Sequence, residues 1–68
     1  MYNYIDNSQQ TKDSIFLDLQ LFHYYEDIKN YTDEQIQNAI ADFCEIYEGN
    51  SMNIETIHEI IIEFLSEA

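Results

Sequence analysis

The fold of this chain is decided by residues 31–49, YTDEQIQNAIADFCEIYEG, where a start signal, an apolar stripe and a stop signal agree. Thr32 can cap a helix, and Gln35 three residues later can return the hydrogen bond in a capping box. Gly49, the only glycine in the chain, can adopt the left-handed backbone conformation that ends a helix. The pattern therefore predicts a helix over residues 33–48.

Apolar side chains recur along this predicted helix at the spacing of one helical face. They are Ile36, Ala39, Ile40, Phe43, Cys44 and Tyr47. We expect this face to form the core, with the single cysteine as a buried thiol that is not reactive. The opposite face carries acidic side chains and no basic one: Glu34, Asp42, Glu45 and Glu48.

A second helix with clear signals is predicted over residues 53–67. Asn53 can serve as its N-cap. Its apolar stripe consists of Ile54, Ile57, Ile61, Phe64 and Leu65. The face away from the stripe is a line of glutamates four residues apart: Glu55, Glu59, Glu63 and Glu67. No lysine or arginine follows Lys29, so none of these glutamates has a local partner of opposite charge.

The segment before the central helix allows two interpretations. Apolar residues at alternate positions from Ile15 to Leu21 are compatible with a strand. Helical spacing accounts for more of the segment and predicts a helix over residues 12–29, whose inward face is Leu17, Leu21, Tyr24, Tyr25 and Ile28. Further apolar residues lie off that face and could form a second contact surface, including a homodimer interface: Ile15, Phe16, Leu19 and Phe22. Residues 1–10 are predicted to be a short extended arm, with Ser8 or Thr11 as the cap of the helix that follows.

These elements predict an all-α protein, a small three-helix bundle with a short extended N-terminal arm. At 68 residues the chain has room for one domain, residues 1–68. It contains neither an N-terminal leader pattern nor an apolar run of membrane-spanning length, so we expect a cytoplasmic protein of the host cell with no membrane partner.

The charge balance limits the function. Fourteen acidic residues against two basic ones give a formal net charge of −12. Phosphate contacts require lysine and arginine, so direct binding to nucleic acid is not expected. The acidic residues either form an ordinary solvated surface or match a basic partner protein.

Catalytic and metal-binding patterns are weak. Glu55 and His58 form one E-x-x-H pair, but di-metal sites in helical bundles need a second such pair, which is missing. The chain also lacks a glycine-rich phosphate loop and a Cys/His cluster. We therefore expect no metal, no cofactor and no enzymatic activity.

The two acidic helix faces are the predicted partner-binding site. Carboxylates four residues apart lie about 6 Å apart along a helix axis, which resembles the spacing of phosphates on a nucleic-acid strand. The expected function is that of an acidic inhibitor which mimics nucleic acid and blocks a basic nucleic-acid-binding protein such as a nuclease, like the anti-CRISPR or anti-restriction proteins of phages. The alternatives are an immunity-type protein that neutralises a toxin nuclease and a helical adaptor or dimerisation module. The expected binding residues are Glu34, Asp42, Glu45, Glu48, Glu55, Glu59, Glu63 and Glu67.

Overall fold

The computed structural model of the protein describes residues 4–21 and 25–67, and the predicted all-α class is confirmed. The helices in these residues are α1 (Gln9–Leu21), α2 (Tyr25–Ile28), α3 (Asp33–Ile46) and α4 (Ile54–Glu67). Helix α3 packs against both α1 and α4 and is therefore the centre of the bundle.

Helix α3 begins at the predicted capping box. The Thr32 hydroxyl accepts a hydrogen bond from the amide of Gln35 at 3.1 Å, and the Gln35 side chain accepts one from the amide of Thr32 at 2.9 Å. The helix ends two residues earlier than predicted, because Tyr47 leaves the helical conformation while its amide still bonds to the carbonyl of Phe43 at 2.9 Å. Gly49 has a φ of 89°, the left-handed conformation expected of it.

The predicted stripe of α3 forms the core. Ile36, Ala39, Ile40, Phe43 and Cys44 are buried, and Tyr47 is half-buried. The Phe43 and Tyr47 rings lie 5.1 Å apart between centroids, a distance at which tilted aromatic pairs attract.

Helix α4 begins one residue later than predicted, because Asn53 is its cap and not its first helical residue. The Asn53 side chain accepts a hydrogen bond from the amide of Thr56 at 2.8 Å, and its carbonyl accepts one from the amide of Ile57 at 3.1 Å. The buried residues of this helix are Ile57, His58, Ile61 and Leu65. From the predicted stripe, Ile54 and Phe64 are only half-buried.

The predicted helix over residues 12–29 differs from the structure at its start. Helix α1 begins at Gln9, so Gln9 and Gln10 do not belong to the arm. Ser8 is the cap: its hydroxyl accepts from the amide of Thr11 and its carbonyl from the amide of Lys12, both at 3.2 Å. The described helical residues of this segment are those of α1 and α2, and residues 22–24, on which the continuity of the predicted helix depends, lie outside the described residues.

The face assigned to this helix is corrected by the structure. Ile15 and Leu19 are fully buried and Phe16 packs against the core, whereas Leu17 and Leu21 are 53% and 69% exposed. Apolar residues occur on more than one side of α1, so periodicity did not determine which side meets α3. The surface expected to carry a homodimer contact is therefore mostly core. Phe22 and Tyr24 lie outside the described residues, as does the side chain of Tyr25.

The N-terminal segment is part of the folded bundle from Ile5 onward. The Ile5 side chain is fully buried among the core residues. Its amide donates to the carbonyl of Asn50 at 2.9 Å, and its carbonyl accepts from the amide of Gly49 at 2.8 Å. These bonds attach the segment before α1 to the turn between α3 and α4.

Candidate functional site

The carboxylates predicted to bind a partner all lie at the protein surface. On α3 and the turn after it the exposed side chains are Glu34, Asp42, Glu45 and Glu48, and on α4 they are Glu55, Glu59, Glu63 and Glu67. They are exposed because the buried stripes of α3 and α4 occupy the opposite sides of these helices.

No cation within residues 4–21 and 25–67 neutralises these carboxylates. The ion pair found there joins Lys29 to Glu26 at 2.5 Å, three residues apart and away from the predicted site. Lys12 lies at the seam between α1 and α3, beside Asp13. The acidic faces of α3 and α4 therefore present their charge to solvent.

A groove between α3 and the last turn of α4 brings part of the predicted site together. It has a volume of about 490 Å³ and is lined by Asp42, Glu45, Ile46, Phe64 and Glu67. The groove is wide and open, and its two apolar side chains reach the surface beside the carboxylates, because Ile46 is 63% exposed and Phe64 only half-buried. The arrangement offers apolar contact and negative charge to the same ligand.

The other predicted residues are not in this groove. Glu55, Glu59 and Glu63 are exposed on α4 but do not line it, and Glu34 and Glu48 are likewise absent from its walls. The two acidic faces thus meet at Asp42, Glu45 and Glu67, where the last turn of α4 approaches α3.

Sequence reasoning missed the apolar members of the site. Ile46, which lies outside the stripe of α3 between Glu45 and Tyr47, was not singled out. Nothing in the sequence marks Ile46 for a contact, because single apolar residues are common on protein surfaces. Phe64 was assigned to the core, and it does pack against the core while also contributing to the groove.

One acidic residue outside the predicted site has a structural role. The Asp6 carboxylate accepts hydrogen bonds from the amide of Ser8 at 2.9 Å and from the hydroxyl of Thr11 at 2.7 Å. Hydrogen bonding by Ser8, followed by that of Thr11, lowers the pKa of Asp6 below its ordinary value. Asp6 therefore supports the start of α1.

His58 is the buried polar side chain of the described core, with 1% exposure. Burial lowers the pKa of His58, and the negative charge of Asp18 on α1 partly opposes this effect. The sequence contained the signal, because His58 follows Ile54 by four residues and precedes Ile61 by three, the spacing of the buried face. His58 thus belongs to the buried face of α4.

Three further features concern the Cys44 thiol, metal binding and membrane-spanning helices. Burial raises the pKa of the Cys44 thiol, and the charge of Lys12 only partly offsets this. Within the described parts of the chain, no three or more His, Cys, Asp or Glu side chains are placed to hold a metal ion. Over the same residues, no helix has the length and apolar character needed to span a lipid bilayer.

The fold and the site together define a small acidic all-α protein with an apolar, carboxylate-lined groove between two helices. Comparisons with protein-family models, with curated protein sequences and with solved structures gave no significant match.

Proposed function

We propose that the protein is an acidic inhibitor that binds a basic surface of a nucleic-acid-binding protein, such as a nuclease, and blocks it as a nucleic-acid mimic. In size and charge the protein is like the small acidic inhibitors that phages use against CRISPR or restriction nucleases. The observation that supports the proposal is the set of exposed carboxylates on α3 and α4 without a neighbouring cation in the described residues.

The physical basis of the proposal is charge complementarity. Arginine-rich sites that contact DNA present paired donors, and a carboxylate accepts such donors in the two-bonded geometry that phosphate also offers. A net charge of −12 attracts such a site over a distance and speeds the encounter. It also disfavours binding of the protein to DNA itself.

The test is inhibition of DNA cleavage by a panel of purified RNA-guided nucleases, restriction endonucleases and toxin nucleases. At least one member is expected to be inhibited, with the inhibition relieved by excess uncleavable cognate DNA. It should also weaken as NaCl rises from about 50 mM to about 200 mM, because salt screens exposed charges. Inhibition confined to a toxin nuclease favours the immunity-type alternative.

The matched control for this assay comes from the acidic residues themselves. Replacing Glu55 and Glu59 by Gln removes charge from the predicted site, whereas replacing Asp13 and Asp27 by Asn removes the same charge elsewhere. The first pair is expected to weaken inhibition more than the second. A panel with no inhibited member, or inhibition unaffected by DNA and salt, contradicts the proposal.

A helical adaptor remains the second candidate, and the exposed leucines of α1 favour it. Leu17 and Leu21 lie one helical turn apart and are 53% and 69% exposed, a pattern that suits docking onto another helix. Association through these residues should persist at high salt. Sedimentation of the purified protein at low and high NaCl, with a Leu17→Ser variant beside it, separates this function from inhibition through the acidic faces.

A further inference from the structure

The groove between α3 and the last turn of α4 continues beyond its acidic part. A second, narrower depression lies along the same helices and shares Asp42 and Phe64 with the first. It extends to Gln35, near the start of α3, and includes Tyr31. From Gln35 to Ile46 the groove follows about 16 Å of the α3 axis, which is about three helical turns.

The acidic end of the groove lies at the negative poles of two helices. Ile46 is the last residue of α3 and Glu67 the last of α4, and both line the groove. The C-terminus of a helix carries a partial negative charge from its unpaired carbonyl groups. Neither helix has a basic residue in its last turn to balance it. Two helix ends and the carboxylates of Asp42, Glu45 and Glu67 therefore act on the same space.

We propose that this groove binds a basic amphipathic helix of the partner protein. Apolar side chains of that helix contact Ile46 and Phe64, and its lysine or arginine residues lie against Asp42, Glu45 and Glu67. This inference rests on the proposed function in one respect, namely that the partner is a basic protein. It adds that apolar contact, and not charge alone, determines what is bound.

Charge complementarity selects this occupant, and the open depression leaves room for it. A third helix placed between α3 and α4 packs against both, as helices do in bundles and in helix-in-groove complexes. A second copy of this chain is a poor occupant, because each copy carries a net charge of −12. A nucleic acid is repelled for the same reason. A purely polar basic loop leaves Ile46 exposed to water.

The experiment uses a designed helical peptide of about 12 residues, long enough to follow the groove. Leucines at positions i and i+4 form its apolar face, with lysine and arginine on both flanks. A control peptide keeps every charge and replaces the leucines by serine. Titration calorimetry or fluorescence anisotropy with the full chain is expected to show that the leucine peptide binds at least about tenfold more tightly than the serine peptide, the gain for burying a large aliphatic side chain.

Two variants match each other in exposure and isolate the apolar contact. Ile46→Ser is expected to weaken binding of the leucine peptide about tenfold. Tyr4→Ser, which changes a side chain of nearly equal exposure in the N-terminal segment, should leave binding unchanged. Both residues are largely solvent-exposed, so both variants are expected to fold, and circular dichroism checks this.

Charge variants then locate the basic contacts. The double variant Asp42→Asn, Glu45→Gln is expected to weaken binding more than Glu55→Gln, Glu59→Gln, which removes equal charge outside the groove.

Equal losses from the two pairs, or equal affinity for the leucine and serine peptides, overturn the groove proposal while the acidic-inhibitor proposal stands. Selective peptide binding with no nuclease inhibited retains the groove and rejects the inhibitor function. Self-association abolished by Ile46→Ser also overturns the proposal, since the occupant is then a second copy.

Discussion

The amide of Gly49 donates a 2.8 Å hydrogen bond to the carbonyl oxygen of Ile5, and this bond joins the N-terminal segment to the turn that follows α3. The turn depends on the left-handed backbone of Gly49. Ile5, which accepts the bond, has a fully buried side chain. The end of the central helix and the start of the chain are therefore one structural unit.

Replacing Gly49 by alanine should destabilise this unit. Residues with a Cβ lose about 1–2 kcal/mol in the left-handed conformation, so Gly49→Ala is expected to lower the free energy of unfolding by that amount. An added Cβ meets the Tyr4 hydroxyl only at 3.8 Å, an ordinary contact, so the cost is in the backbone. Urea denaturation measures it. Gly49→Asn should cost less, because asparagine tolerates this conformation, and an unchanged stability of the alanine variant contradicts the role of the turn.

Ile5 should contribute to stability as a core residue does. Removing one methylene with Ile5→Val is expected to cost about 0.5–1.5 kcal/mol, and Ile5→Ala about 2–5 kcal/mol. The valine variant matters because the alanine change can exceed what so small a domain tolerates. Thermal denaturation of both variants provides the measurement. Tyr4→Ala is the control: its side chain is 62% exposed, and its loss should stay within about 0.5 kcal/mol. An Ile5→Ala variant as stable as the parent contradicts the role of Ile5 as a core residue.

The attachment of Ile5 illustrates where sequence reasoning stops. Helices α3 and α4 were predictable because Thr32 and Asn53 supply caps and each helix has one apolar stripe. The pairing of Ile5 with the turn at Gly49 is a contact between residues distant in sequence, and no local pattern encodes it. In α1, Ile15 and Leu17 are equally apolar, so only the position of α3 decides which is buried.

The candidate site was predictable to a similar extent. The exposure of its acidic residues follows from the stripes, which the sequence contains. Which carboxylates share a groove depends on how α4 approaches α3, and this is set by the packing of Ile61 and Leu65 in the core. The spacing of residues within either helix therefore could not predict that Asp42 and Glu67 line the same groove.

His58 makes stability depend on pH. Its pKa is lowered by burial, so the unfolded chain, with an ordinary histidine pKa of 6.5, binds a proton more readily than the folded one. The stabilising contribution is fully present above pH 6.5 and is lost as the pH falls below that value toward the lowered pKa of the folded state. The loss cannot exceed about 1.4 kcal/mol per pH unit for one group.

A comparison with His58→Gln isolates this effect. Relief of repulsion among carboxylates on acidification acts on both proteins and cancels in the difference. The unfolding free energy of the parent minus that of the variant should therefore decrease between pH 7.5 and pH 5.5. Urea denaturation at constant ionic strength measures both. Parallel pH profiles contradict the assignment of His58 as a buried neutral side chain.

The carboxylates at the ends of the two helices should reduce stability. Glu45 and Glu67 lie in the last turns of α3 and α4, where the helix dipole disfavours negative charge. Glu45→Gln and Glu67→Gln are each expected to raise the free energy of unfolding by about 0.3–1 kcal/mol at low salt. Asp33→Asn provides a control of opposite sign, because Asp33 is in the first turn of α3, where the dipole favours an anion. All three effects should shrink as NaCl screens them.

The same two glutamates connect stability with function. Residues that cost folding energy are expected where a protein needs them for another purpose, as in the trade-off between stability and activity. If Glu45→Gln and Glu67→Gln stabilise the protein and also weaken its binding to the basic peptide, the acidic helix ends serve recognition. If they stabilise it and leave binding unchanged, the negative charge at this end of the bundle is a solvated surface, and the exposed leucines of α1 become the better site. Denaturation and peptide titration on the same preparations of these variants decide between the two.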